Sequence, residues 1–453
     1  MAIKNKERLL SHGNKSGREV ALDVIGHAIK AVDPYEAVKK LIYVENGRKL
    51  IVGKLSYDLS KKGNIYVVGA GKASFAIAQA LEEILGGRIE RGAINVKRGE
   101  KHKLKHVRVR EAGHPIPDEV GLEGAREIMD IARKAKEGDL VFCAITGGAS
   151  ALMPLPAEGI TLEDKKKITN LLLRCGATID DINAVRKHIS AIKGGRLARY
   201  IHPAEVINLI VIDEIAGLPW GPTVPDITTF GQAVHVLKKY DLWEKTPVSV
   251  KKHLERGLVD QSLETPKPKD FEGLMVQNII LANNEIACEA ARERAERLGH
   301  SSMILSTVLE GESREAGIVL AAIAKEVEKN GRPLEPPCVL IVGGETTVRI
   351  VGEPGEGGRN QELALAASLK IDGSRKIVIS SVATDGTDGP TDIAGGIVDG
   401  YTLERAREKG IDVFGNLMKH NSSYVFRQLG DAIFTGPTGT NVMDLGVIVI
   451  TNT

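Results

Sequence analysis

A chain of 453 residues, 42% of them hydrophobic, is long enough to bury substantial cores and fits two domains better than one. Its net charge of +2, its 4% aromatic content and its dispersed basic residues, with one short cluster at 97–110, provide neither a basic stripe nor a stacking platform and exclude nucleic acid as a partner. Residues 1–18 are charged, no apolar run reaches the roughly 20 residues that cross a bilayer, and Cys143, Cys175, Cys288 and Cys338 lack metal-ligand spacing, so the sequence predicts a cytoplasmic protein with reduced thiols and no membrane partner.

The first 60 residues read as two or three helices and then a hairpin over 42–52, with Asn46-Gly47 as its turn. Residues 64–74, NIYVVGAGKAS, give an apolar strand, a glycine turn and a helix to about Leu85, and the next strand is 92–96. Gly69 and Gly71 invite a dinucleotide reading, but Ser74 takes the place of the third glycine and no acidic residue ends the second strand. A Walker A loop is also ruled out, because Tyr66 stands where its first glycine belongs and Ala73 follows the lysine. What remains is Lys72 at a helix N-terminus, where the helix dipole disfavours a cation.

A second glycine strand end closes 140–150, LVFCAITGGAS, where the N–H groups of Gly147, Gly148 and Ala149 can cradle an anion; the plain alternative is a tight turn capped by Ser150. The basic helical stretch 181–200 carries Arg186, Lys187, His188, Lys193 and Arg196 around Gly194-Gly195, with most of its charges expected to face water. Strand 206–212 is apolar apart from Asn208 and ends at Asp213, the place where open α/β sheets gather ligands; a helix cap or a lysine partner is the other reading of Asp213.

Residues 247–269 turn polar and end in TPKPK, which sets domains at 1–265 and 266–453. A βαβ rhythm then restarts with strand 278–282, helix 284–298, strand 302–306 and helix 313–329, with Asn284 and Ser313 as caps and Gly299 and Gly331 at helix ends. In 339–370 a buried strand stops at Gly343-Gly344, where the backbone can approach a ligand, and Glu345 lies just beyond. An extended piece and the glycine loop 352–358 lead to Arg359-Asn360-Gln361-Glu362 at the start of an Ala/Leu-rich helix. Arg359 repeats the local misfit of Lys72, and two such misfits point to an anionic ligand. The plain alternative is an arginine that turns to solvent or pairs with Glu356 or Glu362. Strand 376–382 ends in a loop whose Asp385, Asp388 and Asp392 are acidic enough for Mg2+, although Asp and Gly are also ordinary turn formers. The chain closes with GPTGTNVMD at 436–444 and a strand over 445–450.

Read together, GAGKAS at 69–74, AGHPIPDEVG at 112–121, TGGASALMPLP at 146–156, KGGRLA at 193–198, GPTVPD at 221–226, GGETTV at 343–348, GGRNQE at 357–362, TDGTDGPTDIAG at 384–395 and GPTGTNVMDL at 436–445 resemble the glycerate 2-kinase family, class II glycerate kinases with a C-terminal MOFRL domain. Order and spacing match across nearly the whole chain, which no single motif could achieve. The resemblance implies an α/β protein of two domains, a Rossmann-like three-layer N-terminal one and a smaller mixed-sheet C-terminal one. It implies ATP-dependent phosphorylation of D-glycerate at the 2-hydroxyl, with Mg2+ or another divalent cation. Lys72, Arg359, Glu345 and Asp213 match the family's motif lysine, arginine, glutamate and strand-end aspartate. With phosphoryl transfer resting on positioning and electrostatics, Lys72 and Arg359 are assigned to phosphates or carboxylate, and Asp213 to the attacking hydroxyl. Gly71, Gly147, Gly148, Ser150, Gly343, Gly344 and Asn360 are assigned to substrate and phosphate binding. Glu345 with Asp385 or Asp388 is assigned to the metal. The chain departs from the family pattern at Ile212, Gly217 and Trp220, around Asp213. A homodimer is one assembly compatible with this reading, and the sequence does not set the oligomeric state. Two rivals stand beside this reading: a hydroxypyruvate reductase using a nicotinamide cofactor at GAGKAS, and a non-enzymatic sensor of a small anion.

Overall fold

A computed structural model describes residues 3–99, 103–213 and 221–452. The chain forms two compact units, one joining Pro34–Val211 with Leu218–Leu281 and the other joining Met1–Asp33, Ile212–Gly217 and Ala282–Thr453. This differs from a single cut between 265 and 266, and the reasons lie in the sheets.

The first unit opens with a small antiparallel sheet of β1 (Ile42–Glu45), β2 (Lys49–Val52) and β3 (Leu55–Asp58). Asn46 and Gly47 both take positive φ between β1 and β2, as the tight hairpin turn requires. Its main sheet contains β4 (Ile65–Ala70), β5 (Ile89–Lys97), β6 (Val107–Ala112), β7 (Leu140–Ile145), β8 (Glu205–Val211) and β9 (Val276–Ala282), in the order β6-β5-β4-β7-β8-β9. The ladders from β6 to β8 are parallel. Every residue of β4, β7 and β8 is buried, as befits strands covered on both faces. On one face Val68, Ala70, Cys143 and Ile145 pack with Ala125, Ile128 and Ala132 of helix Glu119–Lys134. Helix Ser74–Leu85 packs on the same strands through residues outside that cluster, and so covers the other face. The chain runs outward from β4 to β6 and then returns to β7, so the topological switch point falls between β4 and β7.

Residues 247–269 are therefore no linker. Helix Val248–Val259 inserts Val250 and Leu254 among Phe230, Ile168, Ile182 and Val185 of a helical cluster in this unit. The strand read as the opening of a second domain is instead β9, the neighbour of β8, with Val206 N donating to Met275 O and Ile212 N to Ala282 O.

The second unit has β10 (Ser301–Leu309), β11 (Cys338–Gly344), β12 (Ile377–Ala383), β13 (Gly395–Asp399), β14 (Ala432–Ile433) and β15 (Asp444–Ile450), in the order β10-β11-β15-β12-β13-β14. Only β10 and β11 run parallel, so the sheet is mixed as expected. Helices Lys15–Ala31 and Asn284–Arg297 cover one face through Leu22, Ile25, Ala291 and Ala295, and helices Ser313–Asn330 and Arg359–Ser368 cover the other through Leu320, Ala324, Leu363 and Ala366. The N-terminal helix is fastened here by Arg18, fully buried, whose Nε meets Asp399 Oδ2 at 2.6 Å and whose Nη1 meets Asp431 Oδ1 at 2.8 Å. Apolar periodicity could not reveal that partner some four hundred residues away. The capping asparagine of Asn284–Arg297 is Asn283, whose side chain accepts from Ile286 N; Asn284 instead donates to the carbonyls of Val442 and Asp444 at 2.8 and 2.9 Å. Ser313 is the first helical residue of its helix, and Glu312 takes the cap position without a side-chain bond to the helix's own N–H groups. Gly331 closes that helix with positive φ and Gly299 follows the preceding one, as read. Among the described residues no helix is long and apolar enough to cross a membrane.

Candidate functional site

At the switch point β4 pairs with β7 up to Ala70 and Ile145, and the two turns beyond are laced together. Lys72 N donates to Gly147 O at 2.9 Å, Thr146 N to Ala70 O at 3.1 Å and Ala73 N to Thr146 Oγ1 at 3.1 Å. A side-chain carbon at Gly69 would collide with the Ala144 carbonyl, and one at Gly71 (φ +142) with Thr146. Glycine is needed here for strand-to-strand approach, and the lacing holds the exposed Lys72 side chain at the end of the buried strand. Ser74 is fully buried and donates to Ala144 O at 2.8 Å, filling the position where a dinucleotide fold carries its third glycine.

Gly148, at φ +88, begins the short helix Ala149–Leu152, and His114 lies over it, its Nε2 3.1 Å from where a side-chain carbon would stand. Burial holds the His114 imidazole below its ordinary range, and Lys72 and Lys97 add to the effect. Lys97 ends β5. Ser150 is not a cap; its hydroxyl accepts from Lys193 Nζ. Lys72, Lys97 and Lys193 are thus gathered around His114, Ser150 and the Gly147-Gly148 turn. Of these, Lys97, His114 and Lys193 had no role in the sequence reading, although His114 and Lys193 sit in quoted motifs.

The stretch 181–200 does not turn its charges to water. It folds as helices Ile179–His188 and Arg196–Ile201 around Gly194 and Gly195, both with positive φ. His188 is fully buried and meets Glu264 at 2.8 Å, Lys187 pairs with Asp226 at 3.0 Å, and Arg196 is 7% exposed. These charges had the spacing of a solvated helix, and only the packing of 221–271 over them buries them. Asp213 is the second residue past β8 and part-exposed, while Ile212 before it is buried. Gly217 and Trp220 lie outside the described residues.

In the mixed-sheet unit Arg359 opens helix Arg359–Ser368. Its Nε and Nη2 donate to the two oxygens of Asp444 at 2.6 and 2.9 Å, and Nη1 meets Glu345 at 2.9 Å. Asp444 begins β15 opposite Gly344 of β11 and Ala383 of β12, so sheet register brings together motifs a hundred residues apart. Arg359 does pair with acids, but not with Glu356, which meets Arg427, or Glu362, which meets His420. Burial opposes the guanidinium charge, yet Asp444, Glu345 and Asp388 outweigh it and hold the proton more firmly. The side chain keeps 28% of its surface open, so the fork is fixed without being sealed.

The anion that complements this helix N-terminus is internal. Asp388 Oδ1 accepts from Asn360 N and Nδ2 at 3.1 and 3.2 Å, and Oδ2 from Gln361 N and Nε2 at 2.9 and 3.1 Å. Burial nevertheless lifts its carboxyl to about 6. With four donors on two oxygens Asp388 caps the helix, contrary to the expectation that it serves a metal. Asn360 is likewise committed, to Asp388, to Asp444 at 2.9 Å and to Ser381 at 2.6 Å. The close approach permitted at Gly343 and Gly344 is made by Asn284 and Leu309 rather than a ligand, and at Gly358 by Asp388. Among the described residues no group of three or more His, Cys, Asp or Glu side chains could hold a metal ion. Asp385 remains part-exposed, its Oδ1 accepting from Thr387 N at 3.0 Å.

Comparison with known proteins gives these strand ends a context. A family described as a domain of unknown function (DUF4147) matches residues 20–255, and the MOFRL family matches 338–444. A glycerate 2-kinase of Pyrococcus horikoshii is 47% identical over 96% of this chain and 98% of that protein. A putative hydroxypyruvate reductase of Agrobacterium vitis is 38% identical over 86% of this chain and all of its own length. The crystal structure of a glycerate kinase from Thermotoga maritima, 37% identical, covers 96% of this chain and 99% of its own with a TM-score of 0.85. Near-complete mutual coverage at these identities, with both sheets in place, makes this chain a member of the glycerate 2-kinase family.

Proposed function

We propose that this protein transfers the γ-phosphoryl group of ATP to the 2-hydroxyl of D-glycerate, giving 2-phosphoglycerate and ADP. The observation that carries the reading is 47% identity to a glycerate 2-kinase over nearly the full length of both chains. Phosphoryl transfer asks a protein for positioning and for charge stabilisation rather than covalent help. Lys72 and the donors of Gly147, Gly148 and Ser150 supply positive potential at the end of β4 and β7. Arg359, braced by Asp444 and Glu345, supplies a planar fork that grips a phosphate or carboxylate in one orientation. Asp213 orients or deprotonates the attacking hydroxyl.

The divalent cation, Mg2+ in this reading, shields the phosphates when bound. Mg2+ ordinarily uses one or two carboxylates together with substrate phosphates, which the part-exposed Glu345 and Asp385 satisfy and a dedicated cage of acids is not needed to satisfy. The enzyme works in the cytoplasm.

The name of the Agrobacterium vitis relative favours the reductase alternative. Against it stand the buried Ser74 in the third glycine's place and Lys97, rather than an acid, ending β5. An assay with ATP and D-glycerate coupled to enolase, which consumes 2-phosphoglycerate, should show ATP-dependent turnover, and phosphorus NMR should show 2-phosphoglycerate as the product. NADH oxidation with hydroxypyruvate in place of this activity would overturn the proposal, and 3-phosphoglycerate alone would overturn the regiochemistry.

A further inference from the structure

Beyond β6 and β7 of the parallel-sheet unit lies a cavity of about 590 Å3, lined by Ser150, by Lys165 and Arg174 of helix Leu162–Arg174, by Arg186 of helix Ile179–His188, and by Ile116 and Leu173. Lys165 is 5% exposed, yet its ammonium donates to the Leu155 carbonyl at 3.1 Å and meets no carboxylate among the described residues. Arg186 has none either, and with Arg196 it repels Lys165. Glu163, the acid on this lining, is engaged by Lys166 at 2.7 Å. A buried cation without a counter-ion is costly, and burial first, then Arg186 and Arg196, push the Lys165 ammonium down to about 7.

An anionic ligand would remove that cost, and size and charge decide which one. A three-carbon acid has one carboxylate and fills a corner of this space, whereas cavities of about 300–1,000 Å3 suit much larger ligands. Several cations match a polyphosphate. Ile116 and Leu173, 70% and 60% exposed, offer an apolar rim for a planar base. We infer that this cavity is the nucleotide subsite, with the polyphosphate against Lys165 and Arg186, its terminal phosphate toward Ser150 and the Gly147-Gly148 turn, and the base on Ile116 and Leu173. The inference rests on the phosphotransfer reading above and adds where the donor is held.

The test uses the full-length protein and ADP, which binds without turnover. In Lys165→Met, calorimetry should show ADP affinity lowered about 10- to 100-fold, the range for a lost charge-assisted contact, with KM for D-glycerate changed less than twofold. ADP binding to the wild type at pH 8 should also take up protons, seen as a dependence of the binding heat on the buffer, and Lys165→Met should abolish this. Removing a buried charge should not lower Tm; Arg174→Met, on an exposed residue, carries the same affinity comparison if it does. Unchanged ADP affinity in both variants, or loss of D-glycerate affinity with ADP binding intact, would overturn the inference. A wild type that binds ADP as described but does not phosphorylate D-glycerate would instead defeat the kinase reading and leave the subsite standing.

Discussion

The two glycine-rich strand ends that look alike in the sequence do opposite things. At β4 and β7 the glycines let two parallel strand ends lock together, and the lacing fixes Lys72 beside Gly147, while Lys97 acts on His114 and Lys193 donates to Ser150. At β11 the glycines are filled by Asn284 and Leu309, and the neighbouring cation, Arg359, is surrounded by Asp444, Glu345 and Asp388. One end collects cations; the other holds a single guanidinium rigidly among acids. The first arrangement suits attraction of a multiply charged anion, and the second suits orientation of a group whose charge develops during transfer.

The largest test lies outside both ends. Asp213→Asn should lower kcat by about 100- to 10,000-fold, the span for a positioned base, with little change in ATP affinity. Turnover near the wild-type rate would remove Asp213 from the chemistry and leave the two ends to carry it alone.

Next in size is Arg18→Met, which leaves Asp399 buried without its cation. Breaking a buried pair costs about 3–5 kcal/mol, and thermal or denaturant unfolding should show a loss of that order with the sheet unit of Arg18 affected first. A stability unchanged from wild type would mean that the N-terminal helix contributes nothing to the scaffold around Arg359.

Arg359→Lys bears on the comparison directly. If Arg359 orients rather than attracts, lysine should be nearly as damaging as alanine, costing roughly 100- to 1,000-fold in kcat, because it cannot keep two bonds to Asp444 and a third to Glu345. Lys72→Arg should retain part of its activity, since a point charge tolerates replacement by another cation. Near-normal turnover of Arg359→Lys at saturating Mg-ATP and D-glycerate would show that both ends act through charge alone.

The smallest effect is on pH. Lys165, lowered from 10.5 to about 7 in the folded protein, binds fewer protons there than in the unfolded chain between those values. Stability of the unliganded enzyme should therefore rise with pH across that window, by an amount of the order of a few degrees in Tm, and Lys165→Met should flatten the slope. An identical slope in the variant would assign it to other groups.

Much of this protein is local and so was legible in its residues. The hairpin at Asn46-Gly47, the strand ends at Ala70, Ile145 and Gly344, the helices beginning at Ser74 and Arg359, and the glycine helix end at Gly331 follow from apolar runs and turn chemistry within a few residues. Motif order across the chain carried the family. What the sequence did not contain was the partner of each element. A buried strand such as β9 has the same composition in either sheet, so its neighbour β8 was decided by packing, and the helix Lys15–Ala31 was decided by Asp399 and Asp431. Asp444 gave no local sign of holding Arg359, because that pairing depends on the register of β15 between β11 and β12. Lys165, Arg186 and Arg196 had the spacing of solvated helix faces, and their burial exists only where helices from distant segments close over them. Periodicity records which face of an element is apolar; it does not record what covers that face, and the burial of Lys165, Arg186 and Arg196 was decided by the covering.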